Sequence, residues 1–250
     1  MAEVLVLVDH ANGEVRKTTA ELLTIARRLG EPSAVYIGSG IEDAQGVLGR
    51  FGSHKVYVAD SPEVTEYLVA PQVDILADLI EETSPAAVLI PSNPAGKELA
   101  ARLSIRCESG LFTDAVDVQA GPTTTQSVFA GSYTTTSSFT KGTPIICVKP
   151  NSAAPEQANG AGAFEELSVS ISDGAKAGFG ATGGSSTKGT IGGEPAADSS
   201  AGSREGPPAW ARRMQRSRSI GHGATVAAHA VRAGDSHGGG SSVNLSESDR

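Results

Sequence analysis

The sequence has little of three things that often define a protein class: cysteine, aromatic residues and long apolar runs. It holds two cysteines and 4% aromatic residues in 250 positions. Cys107 and Cys147 lie in apolar surroundings without CxxC spacing, which predicts buried, reduced thiols and no disulfide framework. No apolar run approaches the roughly 18 residues of a membrane span, and no basic signal segment precedes the first apolar run. We therefore expect a soluble, cytoplasmic protein that does not insert into a membrane.

Large apolar side chains become scarce after Asp173. Leu, Ile, Val and Phe fill 7 of the 77 positions from Gly174 to Arg250. This share is well below the roughly 20% under which a segment is expected to stay disordered. The composition predicts one folded domain over residues 1–173, followed by a disordered low-complexity tail over residues 174–250 that is rich in Gly, Ser, Ala and Arg.

The formal net charge of −8 is divided unevenly between these two parts. The tail has nine basic and six acidic residues, so the first 173 residues carry 11 basic and 22 acidic side chains. An acidic folded domain is a poor partner for nucleic acid or for an anionic membrane. We expect neither as a ligand.

Short apolar runs alternate with amphipathic helical stretches up to about residue 104. The runs predict strands at Glu3–Val8, Ser33–Ile37, Lys55–Val58 and Ala87–Ile90, and the stretches between them predict helices near 18–29, 42–51, 70–82 and 94–104. Thr18 and Glu21 have the spacing of a capping box for the first helix. Strands that are apolar on both faces are typical of a sheet covered by helices on either side. The pattern predicts an α/β fold, a three-layer α/β/α domain with a mainly parallel sheet.

After residue 110 the alternation of predicted strands and helices gives way to consecutive predicted strands. Runs at 115–118, 127–130, 132–138 and 144–148 predict four more strands, with turns at Gly121-Pro122 and Lys141-Gly142. We expect them to add to the sheet as antiparallel edge strands. The alternating segment 165–171 predicts one further edge strand.

Two places at the carboxyl ends of predicted strands are candidate sites, because open α/β sheets bind ligands there. Asp9 and His10 follow the first strand. Two solvated polar residues in a loop are a simpler interpretation of this pair than a positioned catalytic base. Ser92, Asn93, Gly96 and Lys97 follow the fourth strand, at a helix start that could hold a nucleotide phosphate. The alternative is a helix capped by Asn93, with Pro94 in its first turn and Lys97 at the surface.

The tail offers weaker patterns. The glycine-rich run 180–193 lacks the strand and helix that a phosphate loop needs, which favours a low-complexity interpretation. A basic cluster beside Trp210 consists of Arg212, Arg213, Arg216 and Arg218, without framing structure for a nucleic-acid patch. His222, His229 and His237 have no ligand spacing, so we predict no metal site and no catalytic residue.

Four blocks of sequence resemble the N-terminal domain of the electron transfer flavoprotein alpha subunit. They are MAEVLVLVDHANGEVRKTTAELLTIARRLG, AAVLIPSNPAGKELAARLSIR, SGLFTDAVDV and VFAGSYTTTSSFTKGTPIICVKPNSA. The resemblance is ordered from Met1 to about Asp173. It implies a scaffold domain that pairs with a beta subunit, in a carrier that takes electrons from acyl-CoA and other dehydrogenases to a membrane quinone oxidoreductase. The resemblance therefore implies an electron carrier subunit and not an enzyme.

The resemblance also implies FAD, which the family binds in the C-terminal domain of alpha. The family's contacts come from a Gly-Gly-Arg-Gly loop, a Ser-Arg-Ala segment, a Gln-Thr-Gly-Lys turn, a Gly-Ile-Ser-Gly-Ala-Ile-Gln-His helix start and an Asn-Lys-Asp strand end. None of these motifs occurs in residues 174–250. No FAD-binding residue is therefore assigned, and we expect that this chain alone does not bind FAD.

Three hypotheses remain open from the sequence. The chain is an alpha subunit that keeps the pairing domain and lacks the FAD site. It is a frame-shifted or truncated remnant without redox function that binds only the beta subunit. Or it is a free-standing α/β nucleotide-binding module that uses Ser92 to Lys97.

Overall fold

The structure is a computed structural model. The structure describes residues 2–169 apart from residues 12, 62–63, 65–66 and 68, and the backbone of residues 228–232. The described helices are α1 Lys17–Ala26, α2 Ile41–Arg50, α3 Ala70–Thr83 and α4 Pro94–Arg106. The described strands are β1 Glu3–Leu7, β2 His10–Ala11, β3 Glu14–Val15, β4 Glu31–Ile37, β5 Lys55–Ala59, β6 Ala87–Pro91, β7 Leu111–Gln119, β8 Thr123–Val128, β9 Tyr133–Ser138, β10 Ile145–Val148, β11 Ala163–Glu166 and β12 Ala228–Arg232.

Ten of these strands form one sheet in the order β11-β5-β4-β1-β6-β10-β7-β8-β9-β12. The pairings from β11 to β7 are parallel, and those from β7 to β12 are antiparallel. The small strands β2 and β3 form a separate antiparallel pair. A mainly parallel sheet with an antiparallel extension confirms the predicted fold class.

Alternation along β1 produces two hydrophobic clusters, one on each face of the sheet. Leu5 and Leu7 join the cluster under α3 and α4. Val4, Val6 and Val8 join the cluster under α1 and α2. Both faces are therefore covered by helices, which confirms the three-layer α/β/α arrangement and explains why the buried residues of β1, Val4 to Leu7, are all apolar.

Two predictions about the later strands were wrong. The segment near residues 144–148 is not an antiparallel edge strand: β10 lies inside the sheet, parallel to both β6 and β7. All four of its residues are buried, as an interior strand requires. The predicted strand at 127–130 is also displaced, because β8 ends at Val128 and residues 129–132 form the turn to β9.

The edge strand predicted for 165–171 is found only in part: β11 covers Ala163–Glu166 and pairs parallel with β5, and residues 167–169 lie outside any strand. Residues 228–232 form a strand that the sequence analysis did not predict, and the remainder of 174–250 lies outside the described residues. In the part of the chain that the structure describes, no helix is long and apolar enough to span a bilayer.

Candidate functional site

The carboxyl ends of β1 and β6 form the switch point of the sheet. The chain leaves β1 toward β4 and β5 on one side, and β6 with β10 lies on the other side. Such a point is where open α/β sheets bind ligands. A cleft of about 240 Å³ lies there, and its walls include Asp9, His10, Gln72, Asn93 and Gly96. The structure therefore brings together the two candidate segments that the sequence analysis singled out separately.

Asp9 connects the end of β1 to the start of α1 through hydrogen bonds and an ion pair. Its carboxylate accepts a hydrogen bond from the Thr18 hydroxyl at 2.9 Å and lies 3.6 Å from the Arg16 guanidinium. Its backbone N–H donates to the Thr19 hydroxyl at 2.8 Å. The predicted capping box is therefore wrong: the N-cap is Arg16, without a side-chain cap bond, and Thr18 bonds Asp9 instead.

His10 is held by a stacked neighbour and by two polar contacts. Its ring stacks on Tyr36 with 4.1 Å between centroids, and its Nε2 lies 2.9 Å from the Ile37 carbonyl oxygen. Its Nδ1 lies 3.1 Å from the Tyr36 hydroxyl, which donates to the Ser39 carbonyl. Burial, followed by the charges of Asp60, Glu42 and Asp43, raises the pKa of Tyr36. Both ring nitrogens of His10 therefore have structural partners.

The start of α4 is capped by Asn93, as the alternative interpretation of this segment predicted. Asn93 is the N-cap, and its side-chain oxygen accepts the Gly96 N–H at 2.7 Å, with Pro94 in the first turn. A Cβ on Gly96 would clash with the Pro91 carbonyl oxygen and approach the Ile90 side chain. Gly96 is therefore required by the close packing of α4 against the end of β6.

The side chains of Lys97 and Ser92 both hydrogen-bond to Asp114, a residue that was not among the candidates from the sequence. The Lys97 ammonium donates to one carboxylate oxygen of Asp114 at 2.8 Å, and the Ser92 hydroxyl donates to the other at 2.9 Å. The Lys97 bond, helped by Ser92, lowers the pKa of Asp114. Asp114 has a φ of 58° beside a bulge in β7, a conformation that Asp tolerates better than most residues. The available signal was an Asp directly before the strand predicted at 115–118.

The cysteines carry no disulfide. Cys147 is buried and Cys107 is half-buried, and both are free. Burial raises the pKa of Cys147 to about 12 and also raises that of Cys107. Both thiols therefore stay protonated at neutral pH, as structural cysteines do. Among the described residues, no group of three or more His, Cys, Asp or Glu side chains could hold a metal ion.

Comparison with known proteins places the chain in a family. The family described as electron transfer flavoprotein domain matches residues 4–172, which is most of the chain. The chain belongs to the electron transfer flavoprotein family. This result confirms the resemblance drawn from the sequence blocks.

Relatives of this electron transfer flavoprotein chain carry the same family name or a related one. The electron transfer flavoprotein subunit alpha of Mycobacterium tuberculosis is 46% identical over 173 residues, which are 68% of this chain and 54% of the relative. The subunit alpha of Mycobacterium leprae is 43% identical over the same shares. A subunit of the lactate dehydrogenase (NAD(+),ferredoxin) of Acetobacterium woodii is 34% identical over 44% of this chain and 28% of its own length. The chain thus spans about half the length of the subunit alpha relatives.

FAD is the cofactor that the family implies, and the described clefts do not fit it. The switch-point cleft of about 240 Å³ is smaller than the roughly 300–1,000 Å³ of ordinary ligand pockets. A second cleft, of about 480 Å³, is wide open between α2 and residues 159–162 and is lined by glycine and polar side chains such as Gln45, Arg50 and Asn159. Neither offers the enclosed apolar walls that an isoalloxazine ring needs.

The remaining candidates of the electron transfer flavoprotein chain lie outside the described residues. They are the glycine-rich run 180–193, the basic cluster Arg212, Arg213, Arg216 and Arg218 with Trp210, and His222 and His237. His229 falls in β12, of which only the backbone is described.

Proposed function

We propose that this chain is an alpha-type electron transfer flavoprotein subunit that supplies the pairing scaffold of a heterodimer with a beta subunit. The observation that carries the proposal is the match of residues 4–172 to the family, together with 46% identity to a subunit alpha over 173 residues. The matched stretch coincides with the α/β domain and its two hydrophobic clusters. Such a domain has a surface and a core of its own and needs no cofactor to fold.

Electron transfer from acyl-CoA and other dehydrogenases to a quinone oxidoreductase would be the work of the assembled flavoprotein. Within that assembly, we assign residues 1–173 the role of positioning the beta subunit. We assign no FAD contact to residues 1–250, because neither described cleft fits FAD and residues 174–250 lack the family's flavin motifs.

Co-expression of the full chain with an electron transfer flavoprotein beta subunit tests this role. We expect a 1:1 complex by size-exclusion chromatography with light scattering, without stoichiometric flavin absorbance. Flavin content measured for each subunit alone and for the complex is the control. A complex with one FAD per heterodimer would show that the flavin site survives. Failure to form any complex would contradict the scaffold role and favour a remnant that binds nothing.

The switch-point cleft supports a second candidate, a nucleotide-binding module. The cleft adjoins the N-terminus of α4, where backbone N–H groups favour anions. Against it, Lys97 and Ser92 bond Asp114, and the Gly96 N–H bonds Asn93. Titration with AMP or ATP discriminates, because a ligand at about 100 times its Kd adds about 2.7 kcal/mol to stability. An unchanged melting temperature would dispose of this candidate.

A further inference from the structure

Within residues 2–169, the strands at the two ends of the sheet are β11 and β9, and they differ in how their outer edges are protected. The strand β11 has four residues, and two of them are Glu165 and Glu166, with Glu165 lying 3.5 Å from Lys55. A short strand and charged side chains commonly keep an exposed sheet edge from pairing with another strand. The strand β9, YTTTSS, has six residues without a charge or a proline, and it pairs with β8 over six residues without a bulge. The outer edge of β9 therefore has no charge, proline or bulge of its own that would keep another strand from pairing with it.

Aromatic side chains lie at one end of that edge. Phe129 is 80% exposed and Tyr133 is 39% exposed, and their rings meet edge to face at 5.8 Å. Exposed aromatic residues are common anchors of interfaces. An added strand that reaches Tyr133 would thus end beside an apolar contact.

The structure shows which segment takes this edge. Strand β12 pairs antiparallel with β9 in continuous register, from Ala228 opposite Ser137 to Arg232 opposite Tyr133. Three of its five residues are Ala or Val. Such small or apolar residues suit pairing with β9, which has no charged residue. The register pairs five consecutive residues with β9.

The chain is long enough to make this connection. Residues 170–227, 58 in all, separate the two described segments. A chain of that length spans up to roughly 190 Å when extended. The ten-stranded sheet is roughly 43 Å wide at the usual strand spacing. Because the strand and the edge belong to one chain, their pairing is intramolecular and does not depend on the protein concentration, whereas pairing with a separate partner does.

We propose that the outer edge of β9 is a strand-accepting interaction surface and that residues 228–232 of the same chain occupy and shield it. The main-chain groups of β9 supply the binding, and the intramolecular strand keeps the edge from pairing with another molecule. This role goes beyond the proposed scaffold function and does not depend on it.

Hydrogen exchange of the full chain tests the proposal. Successive residues of a strand point their N–H groups to opposite sides, so the double substitution Ala230→Pro with Val231→Pro removes at least one ladder bond. We expect peptides covering residues 131–139 to exchange about tenfold faster or more in this variant. Peptides covering β1 and β6 should be unchanged, which verifies that the domain is folded. The matched control is Ser199→Pro with Ser200→Pro, in the same tail and outside β12.

A synthetic peptide of residues 225–235 gives a second measurement. At millimolar concentration it should restore protection of residues 131–139 in the double-proline variant, while the same peptide with both prolines should not. Self-association of the double-proline variant, but not of the wild type, would also support the proposal, because a second copy would then pair with the exposed edge. Equal exchange in the wild type and the variant, or equal self-association of both, would overturn it.

Discussion

At the scale of single residues, two helical glycines of this chain have opposite surroundings. Gly96 in α4 is buried against the Pro91 carbonyl, whereas a Cβ on Gly46 in α2 would meet nothing within 4 Å. We expect Gly96→Ala to lower the free energy of unfolding by more than about 2 kcal/mol, because backbone must move to admit the methyl group. Gly46→Ala, the matched control, should raise it by up to about 1 kcal/mol, since Ala favours helix.

Urea denaturation followed by circular dichroism measures both variants. Equal and small effects of the two substitutions would contradict the packing role given to Gly96. A loss confined to Gly96→Ala would show that the helix start is shaped by its contact with β6 and that no phosphate is needed to explain this glycine.

Asp114 predicts a pH dependence of stability. Its bond from Lys97 lowers its pKa below the usual 3.8, so folding favours the ionised form. The stabilisation is complete above the unfolded pKa of about 4 and is lost as the pH falls through the lower folded pKa. Because both side chains are more than a third exposed, we expect only about 0.5–1 kcal/mol at pH 7.

The substitution Asp114→Asn isolates this contribution, because Asn also tolerates a positive φ. The difference in unfolding free energy between the wild type and Asp114→Asn should shrink as the pH falls from 7 to below about 4. A difference that is constant with pH would show that the carboxylate charge does not stabilise the fold.

At the scale of elements, the outer face of α1 carries a row of polar side chains that fastens the segment after β10. The buried Glu21 carboxylate accepts the Asn151 N–H at 2.7 Å and lies 3.2 Å from the Lys17 ammonium. One turn further on, the Thr24 hydroxyl accepts the Glu156 N–H at 3.0 Å. This row holds the segment that leads from β10 to β11.

Glu21→Ala should lower the free energy of unfolding by about 2 kcal/mol, because it leaves the Asn151 amide without its charged acceptor. Lys17→Ala, whose side chain is 63% exposed, should cost within about 0.5 kcal/mol. Urea denaturation and limited proteolysis of residues 149–158 measure the two effects. If both variants lost equally little stability, α1 would not be the anchor of this segment.

At the scale of the whole molecule, both hydrophobic clusters are formed by residues of the first 169 positions. We therefore expect a chain ending at Asp173 to unfold cooperatively, with a free energy of unfolding within about 1 kcal/mol of the full chain. Circular dichroism is the suitable measurement. Tryptophan fluorescence would not report on this domain, because the single tryptophan, Trp210, lies after it. A truncated chain without a cooperative transition would show that residues 174–250 contribute to the fold.

The periodicity of apolar residues determined the four helices, the strands β1, β4, β5 and β6 and their three-layer arrangement, because a strand covered on both faces and a helix covered on one have different repeats. The sequence also determined Asn93 as a helix cap, since that bond closes within three residues. Tertiary structure decided the rest. It placed β10 inside the sheet, paired Lys97 with Asp114, and replaced the predicted capping box with contacts to Asp9 and Asn151. These partners are distant along the chain, and short-range spacing carries no record of which strand or side chain will meet another.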